Sequence, residues 1–209
     1  MPEQNRVTPF GEIIATPHRG TFMGNRGVLH DDDGAIKRQY ALERWIICVL
    51  EFKNRRRPIM QPGRYTELFF LDEATAMAAG HRPCAECRRA DYNRFKRLWL
   101  QANRDLLAAT NPRIEAVDHI IQRERIDADG QQVTYNDSID NLPDGVMITL
   151  PGRDVAYLVW QNRLHEWSPA GYQRHRNKPE NMVVRVLTPR SIVRTIAAGY
   201  TPEVHSSVR

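Results

Sequence analysis

The sequence predicts an α+β fold, in which a module of two strands and two helices precedes a small antiparallel sheet. Three observations favour this class: β-branched and aromatic runs at 44–52 and 65–71, helical periodicity between 72 and 125, and short strand-like runs after residue 145. The chain of 209 residues is 41% hydrophobic and 26% charged, which is typical of globular proteins and excludes disordered and fibrous classes.

Residues 1–40 form a turn-rich N-terminal segment, because Gly20, Gly24, Gly27 and Gly34 divide it into short pieces. One strand is predicted at 12–16, and a shorter extended segment is expected around Val28. The motif Met-Gly-Asn-Arg-Gly at 23–27 stands out, but its pattern indicates no specific role.

Residues 41–110 form the predicted module. Its two strands, at 44–52 and 65–71, form a predicted β-hairpin and are joined by a basic loop at 54–64. Asp72 is a suitable N-cap and Gly80 a suitable stop for a short helix between them. A second, amphipathic helix follows, because large apolar residues recur at spacings of three and four: Tyr92, Phe95, Leu98, Trp99, Ala102 and Leu106.

The rest of the chain divides into an acidic connector and a sheet region. Residues 111–145 contain a predicted helix at 114–125, which an acidic turn at 127–130 ends. Residues 146–209 contain four predicted strands, at 146–150, 155–160, 163–167 and 182–187, and a final helix at 191–198.

The charge is unevenly distributed and favours a polyanionic partner. The net charge is +5, but residues 34–104 carry 15 basic and 7 acidic side chains, whereas residues 105–145 carry 3 and 9. Arginine, which binds phosphate in a bidentate manner, supplies 26 of the 30 basic residues. A solvated charged face in an arginine-rich proteome is the alternative. We predict nucleic acid, DNA in particular, as the partner of six arginines: Arg55, Arg56, Arg57, Arg89, Arg94 and Arg97.

The sequence is expected to belong to a cytoplasmic protein without a membrane partner. It contains no apolar run of the roughly 18 residues that a membrane span needs, and it does not begin with a basic and then apolar secretory signal. Three cysteines, an odd number, do not suit a disulfide framework and are typical of a reducing compartment.

The cysteines indicate a zinc site. Cys84 and Cys87 form a Cys-x-x-Cys motif at the predicted start of a helix, where two thiolates can face one ion. A thioredoxin-like role needs a βαβ context, which this motif lacks. Tetrahedral zinc needs four ligands, and Cys48 is the remaining cysteine. A histidine or carboxylate would be the fourth; His81 is nearest in sequence, and His119, His30 and His18 are alternatives.

The run at 68–87, Leu-Phe-Phe-Leu-Asp-Glu-Ala-Thr-Ala-Met-Ala-Ala-Gly-His-Arg-Pro-Cys-Ala-Glu-Cys, resembles the zinc domain of Ada-type methylphosphotriester repair proteins. In that family four cysteines bind zinc, the domain binds DNA, and one upstream cysteine accepts a methyl group. The resemblance covers about residues 44–90 and implies that Cys84, Cys87 and Cys48 bind zinc in a DNA-repair context. The chain departs from the family in having one upstream cysteine, a longer loop, and His81 in place of an aromatic residue.

Two other functions are open alternatives. The sequence Val-Asp-His-Ile-Ile at 117–121, followed by Asn136 and Asn141, resembles the opening of HNH nucleases and implies a metal-dependent nuclease centred on His119. The later cysteine pair and final histidine of that family are missing. A non-catalytic adaptor for protein interactions is the other alternative, and it predicts no salt-dependent affinity for oligonucleotides.

Overall fold

The computed structural model describes residues 1–54, 58–109 and 112–208. Its first half contains β1 (Gln4–Val7), β2 (Ile13–Ala15), β3 (Phe22–Asn25), β4 (Ile46–Cys48), β5 (Leu68–Phe70), α1 (Glu73–Ala78), β6 (Arg82–Pro83) and α2 (Arg89–Ala102). Its second half contains α3 (Ile114–Arg125), β7 (Tyr135–Ser138), β8 (Met147–Thr149), β9 (Ala156–Trp160), β10 (Arg163–Ser168), β11 (Gly171–Asn177), β12 (Val183–Val186) and α4 (Arg190–Ala197). Short 3-10 helices lie at Arg104–Leu106 and Ile139–Asn141.

The strands form two six-stranded sheets, which confirms the α+β class. The first sheet is mixed and has the order β2-β1-β5-β3-β4-β6, with parallel pairing of β1 to β5 and of β4 to β6. The second has the order β11-β10-β9-β8-β12-β7, and its pairs are antiparallel.

The N-terminal segment supplies half of the first sheet. The predicted strand at 12–16 is confirmed as β2, whereas Val28 is exposed and lies in no strand. The two predicted strands of the module, β4 and β5, are not paired with each other, because β3 lies between them. The expected hairpin is therefore replaced by three adjacent strands in the order β5-β3-β4. Because β3 comes from residues 1–40, the sheet also includes strands from both sides of the predicted boundary at residue 40.

Gly24 explains why β3 was not predicted. Sequence reasoning treats glycine as a sign of a turn, but this glycine lies inside β3, opposite Ile47. A Cβ at this position would collide with the backbone carbonyl of Ile46. A glycine in a strand can mark a close approach of another backbone, which is its role here.

The helices follow their sequence signals closely. Asp72 caps α1 by accepting hydrogen bonds from the Thr75 amide at 2.8 Å and the Thr75 hydroxyl at 2.7 Å. The predicted helix at 114–125 is confirmed as α3. In α2 the apolar stripe faces the core from Tyr92 to Trp99, but Leu106 lies beyond the helix and is exposed.

The four strands predicted after residue 145 are confirmed as β8, β9, β10 and β12, and the final helix as α4. Gln161 and Asn162 join β9 to β10 with φ values of 48° and 58°, as a type I′ hairpin turn requires. The sequence did not predict β7 and β11. Both are edge strands with mostly polar, partly or fully exposed side chains, so they lack the apolar run that signals a strand.

Helix α1 joins the two sheets. One buried cluster connects Leu71, Ala74 and Ala78 at this helix with Met147 and Leu158 of the second sheet. A larger cluster connects the first sheet, α2, α3 and α4 with the other face of the second sheet. No helix in the described ranges is long and apolar enough to cross a membrane.

We expect Gly80→Ala to destabilise the protein much more than Gly34→Ala does. The two glycines have φ values of +81° and +83°, so each alanine incurs the cost of a left-handed backbone, about 1–2 kcal/mol. At Gly80 the added Cβ would also collide with the Arg125 side chain, whereas at Gly34 no atom lies within 4 Å. Urea unfolding should show an additional loss of roughly 2 kcal/mol for Gly80→Ala. Equal losses would contradict the packing of Arg125 described here.

Candidate metal centre

Three cysteine side chains meet at one end of the first sheet. The Sγ atoms of Cys48, Cys84 and Cys87 all lie within 4.8 Å of one another. Cys48 ends β4 and Cys84 directly follows β6, and the parallel pairing of these strands places the two side by side. The Cys84 amide donates to the Ile47 carbonyl at 2.9 Å, which extends the pairing to the cysteine itself.

The chemistry of this donor set suits a metal ion. Hydrogen bonds from Cys48 and then Cys87 lower the pKa of the Cys84 thiol far below its usual value, and backbone amides, including that of Glu86, add to this effect. The hydrogen bond with Cys84 is the largest cause that raises the pKa of Cys48, followed by that with Cys87 and by burial. A thiolate that two neighbouring thiols stabilise is ready to bind a soft or borderline cation. The three cysteines could therefore hold a metal ion.

His81 lies apart from this cluster, in contrast to the predicted ligand set. It is fully buried, with its ring against Phe70 and Trp45 at centroid distances of 4.6 and 5.1 Å. Its Nε2 accepts from Arg26 Nε at 3.2 Å, and its Nδ1 donates to the Ala76 carbonyl at 3.1 Å. Both ring nitrogens are thus engaged.

The other histidines considered as ligands also lie outside the cluster. His30 hydrogen-bonds Thr66 Oγ1 at 2.6 Å. His119 is exposed, with Nδ1 3.3 Å from Glu43 Oε2. Over residues 1–54, 58–109 and 112–208, the cysteine trio is the one group of three or more His, Cys, Asp or Glu donors placed to share an ion. Among the described residues, therefore, no set of metal ligands surrounds His119, as the HNH-like interpretation would require.

The neighbour of His119 has a structural role instead. Asp118 is buried and forms a bidentate ion pair with Arg82, with both N–O distances at 2.7 Å. This pair connects α3 to β6. The apparent Asp-His motif is thus divided between a buried structural carboxylate and a surface histidine.

The cysteine trio opens into a large cavity. All three cysteines line a cavity of about 940 Å³. Its wall has apolar side chains from β3, β4 and β5. It also has charged residues of both signs: Lys37, Arg38, Arg44, Asp31, Glu51, Glu67 and Glu86. Solvent or a small molecule can approach the cysteines from this side.

The predicted nucleic-acid residues of α2 are exposed. Arg89, Arg94 and Arg97 all project from the surface of this helix. Arg94 also lies over the Tyr200 ring at 4.7 Å and 3.6 Å from Asp91. Arg55, Arg56 and Arg57 lie outside the described residues.

Comparisons with protein-family models, with curated proteins and with solved structures find no match. The functional interpretation therefore depends on the geometry of the site.

Sequence reasoning missed a second group of residues, Arg26, Trp45 and Arg125, on the other side of His81. The guanidinium carbons of Arg26 and Arg125 lie 3.9 and 3.8 Å from the centroid of the Trp45 ring. The one sequence signal was the unusual motif at 23–27, which contains Arg26.

We expect purified protein to hold about one metal ion per chain, and Cys48→Ser or Cys84→Ser to lose it, because each removes one of three thiolates. His81→Gln should keep the metal, because its ring is engaged with Arg26 and Ala76. Elemental analysis measures the content, and circular dichroism confirms that each variant is folded. Loss of metal in folded His81→Gln would contradict the ligand assignment.

We also expect His81 to make stability depend on pH. Burial, followed by the charges of Arg26 and Arg125, holds the pKa of this histidine well below its usual value of 6.5. Below pH 6.5 the unfolded chain therefore binds a proton that the folded protein does not, so the stabilisation present at higher pH is lost as the pH falls. The stability difference between wild type and His81→Gln should shrink by up to about 1.4 kcal/mol per pH unit. Urea unfolding at pH 7.5 and 5.5 tests this, and a constant difference would refute it.

Proposed function

We propose that this protein is a zinc-binding protein that binds DNA through the arginine face of α2. The observation that carries the proposal is the convergence of three Sγ atoms within 4.8 Å immediately before that helix. Cys87 lies two residues before Arg89, the first residue of α2. A bound ion would therefore fix the start of the helix relative to β4 and β6.

Zinc is the metal that suits these ligands best. Zn–S bonds of about 2.3 Å in a tetrahedral site place sulfur atoms about 3.8 Å apart. This separation falls within the 4.8 Å limit that the three Sγ atoms share. Iron–sulfur clusters commonly use four cysteines, and the chain has three. When bound, zinc would hold the thiolates together and stabilise the fold around them. The cavity side can supply the fourth ligand.

The proposed DNA contacts are arginines on the same helix. Arg89, Arg94 and Arg97 are exposed, and guanidinium groups match the geometry of phosphate oxygens. The surrounding segment, residues 34–104, has an excess of eight basic side chains. Arg55, Arg56 and Arg57 belong to that segment and would add to its attraction for DNA.

The resemblance of residues 44–90 to Ada-type domains supports a role in DNA repair. The proposal does not include methyl transfer to Cys48. That side chain is 7% exposed, whereas a nucleophile in such a reaction must reach a phosphate methyl group. The repair function would therefore depend on binding damaged or exposed DNA and not on accepting a methyl group at this residue.

Replacing Arg89, Arg94 and Arg97 by glutamine should weaken DNA binding and lower its dependence on salt. The slope of log K against log salt should fall by about 2.7 for duplex DNA, because three phosphate contacts are lost. Fluorescence anisotropy with a labelled duplex over a salt series measures both effects.

A matched triple variant on the second sheet controls for net charge. Arg163, Arg174 and Arg176 are exposed on β10 and β11, and their replacement by glutamine removes the same charge from another surface. This variant should retain the wild-type slope. Equal losses in both variants, or no salt-dependent binding by the wild type, would refute the proposal and favour an adaptor. Zinc content is measured in parallel, so a failure of DNA binding is distinguished from loss of the metal.

A further inference from the structure

Arg26 is a buried cation without a carboxylate partner among the residues that the structure describes. Its side chain is fully buried. Its Nε donates to His81, and its Nη1 donates to the carbonyls of Gly11 at 3.0 Å and Gln39 at 3.4 Å. Its Nη2 has no hydrogen-bond partner among the described residues. All of its acceptors are neutral, and burial lowers the pKa of this guanidinium to about 9.

Arg125 brings a second positive charge to the same place. It is 4% exposed and donates to the carbonyls of Gly80 and Glu43 and to the side chain of Gln122, all of which are neutral. Burial and then the charge of Arg26 lower its pKa well below the usual range. Neither arginine forms an ion pair within the described ranges.

Trp45 separates the two guanidinium groups. Both lie within 4 Å of its ring centroid, and two such groups are too large to share one face of the ring at that distance. The indole is therefore sandwiched between them. Cation–π attraction stabilises each cation, but it leaves the combined charge of the pair unneutralised. The nearby acids do not neutralise it directly, because Asp118 is paired with Arg82 and the Glu43 side chain faces His119.

These three residues line one cavity of about 300 Å³. A third arginine, Arg185, also lines it, together with the neutral side chains of Gln39 and Gln131. Glu12 is the single acid among the described residues that line the cavity, and it is exposed. The cavity therefore combines excess positive charge, neutral hydrogen-bonding groups and a volume suitable for a small molecule.

We propose that this cavity binds a small oxyanion of the phosphate type, which supplies the negative charge that Arg26 and Arg125 lack. An unpaired buried charge is costly, and a planar guanidinium offers paired donors to the oxygens of phosphate. The anion would accept from the unpartnered Nη2 of Arg26 and from the one remaining N–H of Arg125, on its Nη1. The metal centre lies in a different cavity, lined by none of these arginines, so this site does not depend on the proposed zinc and DNA binding.

Inorganic phosphate is the probe for the first experiment. Its binding to the wild-type protein is measured by isothermal titration calorimetry and by the rise in melting temperature, against sodium chloride of equal ionic strength. A ligand that binds the folded state raises the melting temperature with increasing concentration. Saturable binding to about one site per chain is the expected result. A shift equal to that of the chloride control would overturn the proposal.

Gln39→Glu tests the location of the site. Gln39 is exposed and lines the cavity beside Arg26, so the variant should fold and its new carboxylate should compete with the anion. Phosphate affinity should fall at least tenfold. Gln173→Glu on β11 makes the same charge change away from the cavity and should bind phosphate as the wild type does. Equal affinities of the two variants would place any bound phosphate elsewhere and refute the proposal.

Two oligonucleotides identify the source of the phosphate. Single-stranded DNA with a 5′-phosphate and the same strand with a 5′-hydroxyl are titrated against wild type and Gln39→Glu. If only the phosphorylated strand displaces inorganic phosphate, and only from the wild type, the anion is the end of a nucleic acid. If neither displaces it, the anion is a free phosphate or a small phosphate ester. Either result is consistent with the proposed anion site and identifies the class of phosphate compound that binds there.

Discussion

Two buried carboxylates at the start of α1 connect the parts of this protein. Asp72 caps the helix and also accepts from the Tyr172 hydroxyl and the His205 amide, and burial raises its pKa. Glu73 accepts from Arg88, from the Tyr200 hydroxyl and from the Glu203 amide. Since Arg88 directly follows Cys87, the same network that joins the sheets also holds one side of the candidate metal centre.

The β3–β4 pair places the two candidate sites at its opposite ends. Met23 is opposite Cys48 at the end with the metal centre, and Asn25 is opposite Ile46 at the other end. Arg26 and Trp45 directly follow and precede these last residues, so they meet beyond the paired segment. One pair of short strands thus positions a cluster of thiols and a cluster of cations, separated by the core residue Ile47.

The sequence predicted those helices and strands whose limits are set by residues adjacent in the chain. Asp72 and Gly80 gave the limits of α1 because a cap and a left-handed stop involve adjacent residues. The proximity of Cys48 to Cys84 was predicted from the number of ligands that zinc needs, whereas the parallel pairing of β4 with β6 that produces it was not predicted. The sequence could not predict that β3 lies between β4 and β5. Gly24 is required there because the backbone carbonyl of Ile46, 22 positions away in the chain, leaves no room for a Cβ. His81 was misplaced for the same reason, since its partner Arg26 is 55 positions away in the chain.

The contacts that complete α1 have a consequence for the order of folding. Tyr200, Glu203 and His205 reach Asp72 and Glu73 across 127 to 133 positions of sequence. Forming contacts of such long range requires closing the intervening loop, which costs conformational entropy and is typical of slow folding. A nascent chain that extends only to α3 would contain the sequence of α1 and its cap. It would lack the C-terminal residues that donate hydrogen bonds to Asp72 and Glu73. These two acids, and with them the contact of Glu73 with Arg88, gain their full set of partners only once the C-terminal segment is available.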